Sequence, residues 1–422
     1  MGQLKETIAE TNIKLAGKPE TLLIGKPVTK VVGSDSTLKP LITVPAEKPV
    51  FCKAPEQILA KDAYIKDINP HNFSSYSKLQ GLRHDQVRAL IEDNLGNLWL
   101  GTDDGLTRFD GKYFSHYTTE QGLNNNLILS LIQDSKGNIW FGTFRGGVTR
   151  YDGMNLTTFS VESGLPSDIV NSIFEDNTGK IWFGTGGGVS VYDGKYITTY
   201  TKDQGLSEID VRAINQDSAG RIWIASNGGG LSVFDGKSFT CYTEKDGFAN
   251  NFTSALYRDK AGNMWIGATN SGIIKFDGSS FIHYTKQTGL GSNSIRTILE
   301  DNSGNMWFGT TDAGLTKFDG KFFHQFNMKE GLGSDYIRSS LQDSNGNIWF
   351  GTRMAGLTRY EGNKFTHMTE NEGLSNNRVM NILEDNEGKM WFATFGGYAT
   401  VITSKEIDSV KRKVIKVFGQ LS

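Results

Sequence analysis

With 422 residues, 37% of them hydrophobic, the chain has material for one large core or for two or three average domains. A formal net charge of −2 offers no sequence-independent attraction for a phosphate backbone, which excludes a general nucleic-acid binder. No run approaches 18 apolar residues, so a membrane-spanning helix is excluded too, and Cys52 and Cys241 lack any metal or redox spacing.

The chain opens on a polar stretch, Met1-Gly2-Gln3-Leu4-Lys5-Glu6, without the apolar run of a signal peptide. Residues 1–70 then form a proline-rich arm, holding Pro19, Pro27, Pro40, Pro45, Pro49, Pro55 and Pro70, seven of the eight prolines. Gly17-Lys18-Pro19 is echoed eight residues on by Gly25-Lys26-Pro27, alternating with apolar pairs such as Leu22-Leu23 and Val31-Val32. The composition suits extended chain lying along a surface, or a linker with little structure of its own. The two cysteines read as small unpaired core thiols, with a disulfide between arm and repeats as the alternative.

A repeat follows and extends to residue 403. Its eight copies are anchored on Trp99, Trp140, Trp182, Trp223, Trp265, Trp307, Trp349 and Trp391, spaced by 41 or 42 residues, and these are all the tryptophans of the chain. The sixth copy shows four short strands rich in β-branched and aromatic residues: Ile295–Glu300, Met306–Thr310, Leu315–Phe318 and Phe322–Phe326. Turn residues separate them, at Asp301–Asn305, Asp312–Gly314 and Asp319-Gly320. Four strands in about 42 residues make one blade of a β-propeller. The repeat begins out of phase, since His71–Leu82 aligns with Lys112–Leu123, the last segment of a cycle. That strand therefore completes the C-terminal blade, giving an all-β, eight-bladed propeller at 71–403 clasped by its N-terminal strand. Seven blades with one displaced cycle are the alternative. The tail, 404–422, is basic, with Ile407, Val410 and Val414 at helical spacing.

The motif Glu/Gln-Asp-x-x-Gly-x-Ile/Leu/Met-Trp-Phe/Ile/Leu-Gly/Ala-Thr, followed by Gly-Leu-x-Arg/Lys-Phe/Tyr-Asp-Gly and then Gly-Leu, resembles the two-component regulator propeller repeat over roughly residues 73–402. The resemblance implies an input domain of a hybrid two-component system, extracytoplasmic (periplasm or cell surface) and responding to saccharides. The chain departs from it in showing no kinase module, span or export signal, which leaves a cytoplasmic location as the alternative. Through Gly-Asn-Ile-Trp-Phe-Gly-Thr it more distantly resembles the streptogramin lyases, which are also propellers.

Residues that repeat are scaffold. The tryptophans fill the space between blades, and the aspartate opening each turn, such as Asp301, accepts turn amides. One carboxylate per turn does not make a calcium site, so no metal and no cofactor is expected. Function belongs where the copies differ, on the loops around the channel mouth. There the candidates are Arg88, Arg212, Arg296 and Arg338 near the start of each innermost strand. Beside them stand Phe144, Arg145, Asn227, Asn270, Asp312, Arg353 and Phe395 between the second and third strands, and His84 and Tyr336 entering the first. Arginines, amides and aromatics suit a polar or anionic ligand, with bidentate contacts to carboxylate or sulfate and ring faces for a sugar. The plainer roles for the same residues are arginine–carboxylate pairs between blades and asparagine turns.

His116, His283, His324 and His367 recur 17 or 18 residues after a tryptophan, at matching outer-strand positions that mark them as scaffold. His84 beside Asp85 has no partner nucleophile. The expectation is a non-catalytic sensing module for a small polar ligand or oligosaccharide, with a signalling protein as a further partner. A lyase-like enzyme and a protein-interaction platform are the alternatives.

Overall fold

The computed structural model describes residues 42–396 and 399–403, together with the strands Glu6–Ile8, Asn12–Leu15, Glu20–Thr21 and Val28–Val31. The basic tail lies outside the described residues. Eight antiparallel sheets form eight blades. Blade 1 is Val87–Glu92, Leu98–Thr102, Gly105–Phe109 and Tyr113–Tyr117, ordered from the inside outwards, and blades 2 to 7 repeat it. In blade 8, Val379–Glu384, Lys389–Thr394 and Ala399–Thr403 take their outer strand from Ser74–Tyr76, so the chain ends are clasped as the phase of the repeat requires.

Each seam between blades holds one tryptophan. Trp307 of blade 6 is 1% exposed and packs against Leu315 and Phe326 of its own blade and Ile337, Phe350 and Phe365 of blade 7. Trp391 does the same between blades 8 and 1, against Leu98, Phe109 and Phe114. Every indole Nε1 also donates to the aspartate that opens its own turn, as Trp307 does to Asp301 at 2.9 Å and Trp140 to Asp134 at 2.7 Å. The same carboxylate accepts the amides of Ser303 and Asn305, while Gly304 turns the chain back at φ +81°. Burial alone would raise the Asp301 carboxyl, but the bonds from Trp307 and Asn305 outweigh it and hold it below the ordinary carboxylate range. In blade 6, Gly309 is required where the inner strands approach: an added Cβ would lie 2.7 Å from Ile337 of blade 7.

The repeat has four strands, but seven blades have five. The arm supplies the fifth, one short antiparallel strand per blade, taken in reverse order. Glu6–Ile8 pairs with the outer strand of blade 7, Asn12–Leu15 with blade 6, Glu20–Thr21 with blade 5 and Val28–Val31 with blade 4. Ile42–Pro45, Val50–Phe51 and Glu56–Leu59 continue through blades 3, 2 and 1. A single bridge from Tyr64 to Ser75 then reaches blade 8. The arm is thus a belt over the outer edges, and it covers backbone groups that open sheets leave unpaired. Cys52 of the belt and Cys241 of blade 4 are both buried.

On the face opposite the mouth, a second device joins the blades. The amide following each turn aspartate donates to a Glu or Gln at the end of the next blade's inner strand, as Lys260 to Glu300 and Asn302 to Gln342, both at 2.7 Å. Seven seams carry this bond, including Asn386 to Glu92 across the ring closure. At the seam between blades 4 and 5 the acceptor position is Arg258, which has only donors to offer Ser218. Arg258→Gln should supply the eighth bond and raise stability by about 0.5–1 kcal/mol. A denaturant midpoint that stays put or falls would show that these bonds do not join the blades.

Candidate functional site

At the mouth of the channel, seven of the eight blades share one backbone bond among the described residues. The residue after the second strand donates to the residue before the first: Phe144 to Leu127 at 2.9 Å, Asn227 to Asp210 at 2.8 Å, Arg353 to Tyr336 at 3.3 Å and Phe395 to Arg378 at 3.0 Å. Just inside this rim every innermost strand carries a β-bulge, and the residue left out of the ladder is the second of the strand. A bulge re-aims its extra side chain. Leu129, Asn171, Arg212, Ser254, Arg296, Arg338 and Met380 hold that position, and all line one cavity of about 570 Å³.

The candidates divide between committed and uncommitted groups. Arg88 is bound by Asp103, with Nη2 at 3.0 Å from Oδ2, and lies 5.8 Å from the Phe395 ring. Arg212 pairs with Asp210 at 2.6 Å, and Asn227 Nδ2 donates to the same carboxylate at 2.9 Å. Asn270 and Arg145 hold left-handed turns at φ +60° and +68°. Asn270 also accepts from the Ser294 hydroxyl, and Arg145 lies 5.0 Å from the ring of Phe144, which stays partly exposed. Asp312 is held by the Ser292 hydroxyl, with Lys286 at 3.8 Å. His84 uses Nδ1 to accept the Gln86 amide at 3.1 Å. Asn270 serves a turn, as its plainer role has it, but the arginine–carboxylate pairs Arg88–Asp103 and Arg212–Asp210 each lie within one blade rather than between blades.

Blades 6 to 8 differ. Among the described residues, no carboxylate forms an ion pair with Arg296 or Arg338, or with Arg353, which lies 5.2 Å from the Tyr336 ring. Sequence reasoning stopped one residue short of a fourth arginine. Arg378 follows the Asn376-Asn377 turn, in the column that Tyr336 occupies in blade 7, and aligning those columns would have found it. Its guanidinium lies 3.9 Å from the Phe395 ring, and its Nε is buried with no hydrogen-bond partner among the described residues. Burial lowers the Arg338 pKa, and Arg296, Arg378 and Arg353 lower it further, against an opposing effect of Tyr336.

The outer-strand histidines need one correction. His116, His283 and His367 share a register, facing Thr107, Ile274 and Thr358, whereas His324 is one residue earlier, opposite Lys317. Side chains alternate along a strand, so His324 points to the other face and pairs with Asp319 at 2.9 Å. His116 and His367 both bridge to the preceding inter-blade turn, at Gly81 and Gly331.

The two component regulator propeller family matches this chain eight times, at residues 81–104, 122–145, 164–187, 205–228, 247–270, 289–312, 331–354 and 373–396. The extracellular domain of BT3049 from B. thetaiotaomicron, assigned to a hybrid two component system, is 30% identical over 70% of this chain and 41% of its own, with a TM-score of 0.53. The extracellular domain of BT4673, from the same organism, is 19% identical over 87% of this chain and 58% of its own at a TM-score of 0.50, a likeness of fold alone. A virginiamycin B lyase from Staphylococcus aureus is 13% identical at a TM-score of 0.48, covering 82% of this chain and 99% of its own. The chain thus spans 41% of the first and 58% of the second of these extracellular domains. No curated protein matches.

Proposed function

We propose that this chain, built from eight two-component regulator propeller repeats, is a sensing propeller that binds a small polar or anionic ligand, a saccharide among them, at its channel mouth. The observation that carries this reading is the ring of bulges. Eight repeats keep the same backbone irregularity while its side chain varies from Leu129 to Asn171 to Arg338, and the varied side chains share one cavity. A scaffold that repeats everything except the groups facing a cavity is arranged for recognition. His84 is occupied by a backbone amide, and a non-catalytic role is part of this reading. The reading places the protein outside the cytoplasm, as the matched extracellular domains are, with a signalling protein as the receiver of the ligand-bound state.

The test is a thermal-shift screen of the full chain against neutral, uronic-acid and sulfated oligosaccharides. A ligand at a hundred times its Kd should stabilise the fold by about 2.7 kcal/mol. The shift should disappear in Arg296→Ala/Arg338→Ala. If every hit survives that double substitution, the ligand binds elsewhere and the mouth reading is wrong.

A further inference from the structure

Three arginines around the mouth are neutralised. Arg88 has Asp103, Arg212 has Asp210, and Arg83 has Asp104 at 3.0 Å and Glu56 at 3.4 Å. Arg296, Arg338, Arg353 and Arg378 are the contrast, four cations on three consecutive blades with no carboxylate paired to them among the described residues. Gathering like charges in a partly buried place is unfavourable unless an opposite charge joins them. The aromatic contacts do not supply that charge. A guanidinium stacked on a ring, as Arg378 is on Phe395, keeps its in-plane N–H donors available for oxygen acceptors.

Resting on the reading of the mouth as the ligand face, we infer that these four arginines form a seat for a ligand carrying two or more anionic groups. Carboxylates, phosphates and sulfate esters share the required chemistry, planar or tetrahedral oxygens that take two donors from one guanidinium. Arg296 and Arg338 meet the ligand from the channel wall, and Arg353 and Arg378 from the rim. On the remaining rim, Arg145 beside Phe144 also has no carboxylate paired to it among the described residues, but it stands alone on its blade. Leu127, Ile169 and Phe252 are apolar, and Asp103 and Asp210 already face their own arginines. The ligand therefore sits off the propeller axis, toward blades 6 to 8.

Isothermal titration of the full chain with citrate, pyrophosphate and a disaccharide in sulfated and unsulfated forms tests this. Polyanions should bind, and affinity should fall as salt rises. Citrate or pyrophosphate outranking the sulfated sugar identifies a free small anion, and the reverse order a glycan. Arg338→Gln and Arg378→Gln should each weaken binding at least tenfold. Arg258→Gln, an equal change of charge at the opposite end of the channel, should leave affinity within threefold. The melting temperature of ligand-free Arg338→Gln supplies the readout a structural arginine would not share: it should hold or rise, because repulsion has been removed. A fall would make Arg338 a structural residue and overturn the inference. Binding of the unsulfated sugar without any polyanion would overturn it while leaving the mouth reading intact. Silence from all four probes, neutral and charged, would overturn both.

Discussion

Trp307→Ala should lower stability by about 3–5 kcal/mol, the range for emptying a large buried aromatic site. The indole has its nearest rings in Phe326, Phe350 and Tyr360, with centroids 5.7, 5.8 and 5.1 Å away, and all three would face a void. Backbone relaxation cannot close that void, because the inner strands of blades 6 and 7 already touch at Gly309 and Ile337. The substitution also removes the indole donor from the buried Asp301 carboxylate. Trp307→Phe separates the two contributions, keeping most of the ring contact and losing the hydrogen bond, for about 1–2 kcal/mol. Urea unfolding followed by near-ultraviolet circular dichroism measures both. Equal losses for Ala and Phe would mean that the hydrogen bond, not the packing, holds the seam.

Deleting residues 1–60 should leave a closed propeller that self-associates more strongly than the full chain. Closure survives because the Ser74–Tyr76 clasp and the Trp391 seam lie outside the deletion. Net destabilisation should be modest, on the order of a few kcal/mol, since ordering each belt residue opposes its hydrogen bonds by about 1–2 kcal/mol. The larger effect is exposure of outer strands such as Lys364–Met368 and Phe322–Phe326, which then offer unpaired N–H and C=O groups to neighbouring molecules. Sedimentation velocity should show association that grows with concentration and exceeds that of the full chain. A truncated protein that associates no more than the full chain at high concentration would show that the belt does not guard these edges.

The blades were legible because their signals are redundant: one tryptophan, one turn aspartate and one Gly-Leu step (Gly247-Phe248 in one copy) per cycle, all at nearly the same period. The phase of His71–Leu82 gave the clasp for the same reason. The belt was not legible as strands. Its pieces are two to four residues long, too short for alternation to show, and each pairs on one side only. A signal was nevertheless present in the prolines. Pro19, Pro27, Pro49 and Pro55 each stand immediately before a belt strand, and Pro40 one residue earlier still. Proline is tolerated at the start of an edge strand and disfavours helix before it, so it punctuates the arm. The eight-residue echo of Gly-Lys-Pro matches the step from blade 5 to blade 4. At the mouth, sequence columns located the variable positions. Whether an arginine was paired depended on carboxylates such as Asp103 and Asp210, whose reach is set by the bulge and the rim bond rather than by spacing.

The reversed order of the belt bears on how the chain is made. Contacts as distant as Glu6 with Thr366 ordinarily slow folding, because the intervening chain must be gathered first. Here the ribosome presents the partners in a usable order. When blade 1 emerges, its edge strand Glu56–Leu59 is already out and lies nearest to it along the chain. Blade 2 then finds Val50–Phe51, next upstream, and each later blade takes the piece before that, until blade 7 takes Glu6–Ile8. The arm is drawn in like line onto a reel, one short length per new blade, and no length has to be passed beneath another. Synthesis from the N-terminus thus turns the least local strand pairings of the molecule into a series of short steps.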